Sequence, residues 1–197
     1  MVCRTEHGNL HAGILYRTDQ GANVLNLGFQ DRLGVDWEWP RLWSAPDCEP
    51  ELLFYAATMC RRIWELFVEE RKFPYGIRFG GSSFDETGHL VLAQGANGLT
   101  CATLVLAVFR SANIDLVDES SWPVRKVDDQ AFLDRLRPFA EKGHMKLLAA
   151  EVEAGVKRIW PDEVVGACAC ALPARFEPAR AAADALLVKL EPRESKQ

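Results

Sequence analysis

The chain has 197 residues, 48% hydrophobic and 26% charged, with 23 basic and 28 acidic side chains and a formal charge of −5. A chain of this length buries roughly 70% of its unfolded surface, so it needs neither disulfides nor a structural metal to hold a core, and extensive disorder is excluded. The acidic balance and the lack of a basic stripe argue against a nucleic-acid or anionic-membrane surface, since both work through clustered Lys and Arg.

No run approaches the roughly 18 apolar residues of a membrane span, and Met1-Val2-Cys3-Arg4-Thr5-Glu6-His7 lacks the apolar stretch of a signal peptide. The expectation is a cytoplasmic protein, with export without a cleaved signal as the alternative. In chain order, residues 10–16 and 23–29 read as two strands joined by a turn through Thr18-Asp19-Gln20-Gly21. Residues 31–47, with Trp37, Trp39, Trp43, Pro40 and Pro46, read as an irregular aromatic loop packed on the body of the domain. Over 50–71 the apolar residues Leu53, Ala56, Ala57, Cys60, Ile63, Trp64 and Phe67 recur at threes and fours, which predicts an amphipathic helix ended by Pro74. Six glycines between 76 and 98 mark turns and close backbone approach around a short strand at 89–92.

Residues 99–111 are nearly all apolar, so they form a central helix. Further helices are predicted at 128–142, 144–158, from Pro161 onward, and at 177–190, where Pro161 with Asp162 and Glu163 suits a helix start. The fold class is α+β: a small antiparallel sheet on a central Cys-bearing helix, with residues 1–125 as the mixed core and 126–197 as a helical portion packed on it.

Six cysteines, at 3, 48, 60, 101, 168 and 170, sit mostly in apolar, helix-like runs and read as reduced core residues rather than a disulfide framework. Cys168-Ala169-Cys170 has no second ligand pair, so no metal or other cofactor is expected. Cys101 differs. The glycine-rich approach sets it in the first turn of a buried helix, where open backbone N–H groups favour a thiolate and can hold an oxyanion. The competing reading is a small apolar residue opening a core helix.

A nucleophilic cysteine needs a base. His7 lies near a mobile chain end, His89 opens a short strand and His144 a helix, whereas His11 lies inside a strand before the small pair Ala12-Gly13. If Arg17 pairs with Ala22, His11 shares a sheet face with Gly28, Asn26 and Gln30, and either amide can orient the imidazole. Around this set, Trp37, Tyr75 and Thr100, together with Gln30, are the candidate substrate-contacting residues.

Leu10-His11-Ala12-Gly13-Ile14-Leu15, then Val24-Leu25-Asn26-Leu27, then Leu99-Thr100-Cys101-Ala102-Thr103-Leu104-Val105 resembles the circularly permuted papain-like superfamily. That superfamily includes permuted NlpC-type amidases and lecithin retinol acyltransferase-like enzymes. The histidine strand precedes the cysteine helix here, which fits only the permuted order. The resemblance implies Cys101 as nucleophile, His11 as base and Asn26 as third member. Asn26 stands where many acyltransferase-like members carry a second His, so amidase or peptidase chemistry is favoured over acyl transfer. The expected function is a cysteine hydrolase of an amide or ester acting through a thioester. The alternative is a non-catalytic interaction protein that uses the same fold as a binding scaffold.

Overall fold

The computed structural model describes residues 1–5, 9–28, 32–35, 41–67 and 73–190. The chain start, expected to be mobile, is instead a strand: β1 (Val2–Arg4) pairs antiparallel with β2 (Leu10–Thr18), and Val2 and Cys3 are buried. Strand β2 runs into β3 (Gly21–Gly28) in the expected register, Arg17 opposite Ala22 and Gly13 opposite Asn26. The turn is tighter than the four residues expected, because Thr18 and Gly21 still pair and leave only Asp19-Gln20 to reverse the chain.

The described parts of residues 31–47 also depart from an irregular loop: β4 (Arg32–Val35) pairs with β3 and β5 (Arg41–Leu42) with β1. The sheet order is β4-β3-β2-β1-β5. Both short strands lack the long alternation that marks a strand in sequence, and pairing to a neighbour defines them. Helix α1 (Pro50–Phe67) buries Ala56, Met59, Cys60 and Ile63, the stripe its spacing requires. In the glycine region β6 (Ser83–Phe84) and β7 (Leu90–Val91) form a separate two-stranded ribbon.

Helix α2 (Cys101–Ser111) starts two residues later than the apolar run, and every residue from Ala102 to Phe109 is buried. With no polar face to offer, it must be covered all round. Strands β2, β3 and β6 and helix α1 pack against it.

The C-terminal portion holds α3 (Lys126–Leu136), α4 (Lys142–Glu153), α5 (Pro161–Ala167) and α6 (Phe176–Leu187). Helix α4 ends well before the expected residue 158 because Gly155 takes a left-handed conformation, φ +74°. The Val156 N–H then donates to the Glu151 carbonyl and the Gly155 N–H to that of Val152, which closes the helix end. Helix α5 lies against α2, β1 and β2, and one hydrophobic cluster joins its Val164 to Leu104 and Ile14. Helix α6 comes so close to α5 that a Cβ on Gly166 would lie 2.2 Å from the Ala179 carbonyl oxygen.

A buried ion pair ties this portion together. Glu163, fully buried on α5, accepts from Arg125 through both carboxylate oxygens, from the Trp122 indole at 3.1 Å and from the Trp160 N–H at 2.9 Å. Among the described residues no helix is long and apolar enough to cross a membrane, and no group of three or more His, Cys, Asp or Glu side chains is arranged to hold a metal ion.

Three substitutions test this packing. A Cβ on Gly98 would lie 2.2 Å from the Pro74 oxygen at φ +157°. Gly98→Ala is therefore expected to cost about 3 kcal/mol in urea unfolding. Gly143→Ala on α4, where nothing lies within 4 Å of the new methyl, should instead stabilise by about 0.5–1 kcal/mol. Arg125→Ala, which removes the two-pronged partner of the buried Glu163 carboxylate and leaves, among the described residues, only Arg180 at 3.8 Å as an ion-pair partner, should cost about 3 kcal/mol by the same measurement.

Candidate functional site

Two extended segments position Cys101. The Leu99 N–H donates to the Pro74 carbonyl at 2.9 Å and the Gly76 N–H to the Leu99 carbonyl at 3.4 Å. The chains at Gly76 and Gly98 run too close for a side chain on either; a Cβ on Gly76 would sit 2.6 Å from the Gly98 nitrogen. Thr100 then caps α2: its hydroxyl accepts from the Thr103 N–H at 3.2 Å, and its own N–H donates to Thr103 Oγ1 at 2.7 Å. This reciprocal cap makes Cys101 the first helical residue. Among the described residues it leaves the Cys101 and Ala102 N–H groups as the open donors of the first turn.

Strand β2 brings His11. His11 Nε2 lies 3.1 Å from Asn26 Oδ1. Asn26 Nδ2 donates to the carbonyls of Val24 at 3.3 Å and Gly34 at 3.2 Å, so its oxygen is the atom left for the ring. Nε2 of His11 therefore carries the proton it donates, and Nδ1 is the basic nitrogen of the ring. Asn26 is buried, and its register position opposite Gly13 sets it diagonally across from His11.

Cys101 completes the set at the edge of the core, partly exposed. The His11 side chain and the Ala12 backbone N–H act on its thiol. Burial alone would raise its pKa. The His11 charge and hydrogen bond, the Ala12 N–H and the Arg158 charge together outweigh burial and hold the thiol below its ordinary value.

Arg158 is the residue that sequence reasoning missed. Placed on a predicted helix, it lies instead in the loop between α4 and α5, where its side chain pairs with Asp129 at 3.6 Å and stacks 3.6 Å from the Phe132 ring centroid. It interacts electrostatically with both Cys101 and Tyr75. Burial pushes the Asp129 carboxyl upward, opposed by Arg158 and Arg125. The signal was present in Gly155, a left-handed helix stop that releases Arg158 from α4.

Of the four candidate substrate contacts, Gln30 and Trp37 lie outside the described residues. Tyr75 is buried, packed 6.1 Å from the His144 ring and within electrostatic reach of Arg158. Thr100 is buried and spends its hydroxyl on the helix cap, so its part in the site is to position Cys101. His89 sits on the surface, its Nδ1 2.7 Å from the Thr87 hydroxyl; His7 lies outside the described residues. Trp43 is exposed at 67%, with its indole in solvent rather than packed on the body.

The remaining cysteines have different surroundings. Burial pushes the Cys60 thiol far up and that of Cys168 up to about 11. Cys170 donates to the Gly166 carbonyl at 3.4 Å. No family model matches the chain, and neither a curated protein nor a solved structure matches it.

Alkylation separates these environments. Iodoacetamide at pH 6–7 should modify Cys101 well ahead of Cys60 and Cys168, read by peptide mass spectrometry. In His11→Ala, where burial meets less opposition, the pH midpoint for Cys101 should move upward and its lead should shrink; equal, slow labelling of all six would contradict the geometry.

Proposed function

We propose that this chain is a cysteine-dependent hydrolase of amides or esters, built on a papain-like fold in circularly permuted order. The observation that carries the reading is the double engagement of His11, with Nε2 on Asn26 Oδ1 at 3.1 Å and the side chain acting on the Cys101 thiol through charge and hydrogen bonding. A core histidine kept only for packing would need neither a thiol nor an oriented amide beside it. The chain order, histidine strand β2 before cysteine helix α2, supports the permuted arrangement. The six free cysteines suit a reducing, cytoplasmic setting.

The chemistry follows from these groups. His11 Nδ1 takes the proton of Cys101 Sγ, and the thiolate attacks the substrate carbonyl carbon. The oxyanion that forms is held by the Cys101 and Ala102 N–H groups at the start of α2. His11 returns the proton to the departing nitrogen or oxygen, leaving a thioester on Cys101. Water then adds to the thioester carbonyl, giving one proton to His11; collapse breaks the C–S bond, releases the acid and reprotonates the sulfur. Asn26 acts through His11 by holding its tautomer, and is a positioning residue.

The test is acyl capture. Incubation with a panel of p-nitrophenyl esters and peptide p-nitroanilides should give turnover, and rapid acid quench should leave an acyl adduct on the Cys101 peptide. Cys101→Ala should abolish both. His11→Ala should lower kcat/KM by about 10²–10⁴-fold, and Asn26→Ala by less, with the pH profile displaced. A correctly folded chain that forms no adduct with any substrate class would refute the hydrolase reading and favour a binding scaffold.

A further inference from the structure

Arg158 has more hydrogen-bonding capacity than its surroundings use. Its guanidinium offers five N–H donors in a planar fork. Its side chain is only 12% exposed, yet its ion-pair partner Asp129 stands at 3.6 Å, beyond ordinary hydrogen-bond length. The flat face of the group is taken by the Phe132 ring. Asp129 is buried as well, and its Oδ1 has no hydrogen bond within the described residues. A pair kept for stability alone would close to a two-pronged contact, because half-satisfied buried charges are costly.

The backbone that carries the guanidinium is also held in place. The Arg158 carbonyl accepts from Arg125 Nη2 at 2.6 Å, and Arg125 is itself fixed by the buried Glu163 carboxylate. The Trp160 N–H, two residues on, donates to the same carboxylate at 2.9 Å. The loop is therefore preorganised, and it carries a cation with open donors to the neighbourhood of Cys101 and Tyr75.

We propose that Arg158 is an anion-recognising subsite beside Cys101, and that the substrate is an amide or ester carrying a carboxylate close to the scissile carbonyl. This rests on the hydrolase reading and assigns its substrate class. The planar fork suits a carboxylate through two parallel N–H···O bonds, and a substrate group seated there would complete the contact that Asp129 leaves open. The C-terminal helices then have a role at the site: α3 supplies Asp129 and Phe132 and the α4–α5 loop supplies the cation.

Iodoacetate and iodoacetamide test this on the full chain, since they alkylate by the same chemistry and differ in one negative charge. The readout is the ratio of their rate constants at Cys101, in which any change of thiolate population cancels. Arg158→Gln should lower the iodoacetate-to-iodoacetamide ratio about tenfold, the scale of one charge-assisted hydrogen bond, while Arg158→Lys should retain part of the preference. An unchanged ratio in a folded Arg158→Gln protein overturns the proposal. Should that variant not fold by circular dichroism, the unaltered chain decides: succinate should shield Cys101 from iodoacetamide more strongly than succinamide, and equal or absent shielding overturns it. A Cys101 that alkylates rapidly but without regard to charge removes the anion subsite alone, whereas a Cys101 no faster than Cys60 or Cys168 removes the hydrolase reading itself.

Discussion

The architecture depends on one constraint, the burial of α2 on every side. Its eight central residues carry a single hydroxyl, that of Thr103, and this is used at the helix start. Such a helix has no stable place at a surface, so the sheet, α1 and α5 are arranged as its cover. The ends of a buried helix are where its unpaired backbone groups must be dealt with. At the N-terminal end the Thr100 cap satisfies one donor and two remain open beside Cys101. The reactive corner of the molecule is thus a consequence of how its most apolar segment is packed.

Strand β2 connects that corner to the sheet. Its Ala12 N–H and His11 side chain favour the Cys101 thiolate, and His11 is at the same time bonded to Asn26 on β3. Gly13 between them allows the backbone of β3 to approach; a Cβ there would lie 2.8 Å from the Leu25 carbonyl oxygen. Desolvation and polar contacts compete at the thiol, and the contacts prevail. At Cys60 and Cys168, which lack comparable donors, desolvation prevails and the thiols are held protonated.

The C-terminal helices are joined to the same corner through charge. Glu151, buried on α4, accepts from the Ile77 and Arg78 N–H groups at 2.6 and 3.2 Å and from Asn97 at 2.7 Å. One carboxylate therefore braces the two segments that flank the approach to Cys101. Glu163 does the corresponding work for the loop that holds Arg158, and Arg180 on α6 adds a 2.7 Å contact to neighbouring Asp162. Buried carboxylates of this kind act as rigid connectors because leaving any partner unpaired is expensive.

Local pattern was enough for much of this. The spacing of Ala56, Cys60 and Ile63 marks α1, the unbroken apolar run marks α2 as central, and the strand alternation with its turn residues carries the β2–β3 register, from which Asn26 emerges as a candidate partner for His11. These are short-range properties, determined by periodicity and by which residues turn a chain. The short strands β1, β4 and β5 were not legible, because a strand of two to four residues is defined by its neighbour and not by its own sequence. Nor was Arg158. Its approach to Cys101 depends on how α3, α4 and α5 pack, and a charge acts through space across segments far apart in the chain. The sequence by itself determined the candidate pair Cys101 and His11 and the hairpin that sets Asn26 beside His11; only the tertiary structure decided which charges surround them, because electrostatic environment is a property of packing.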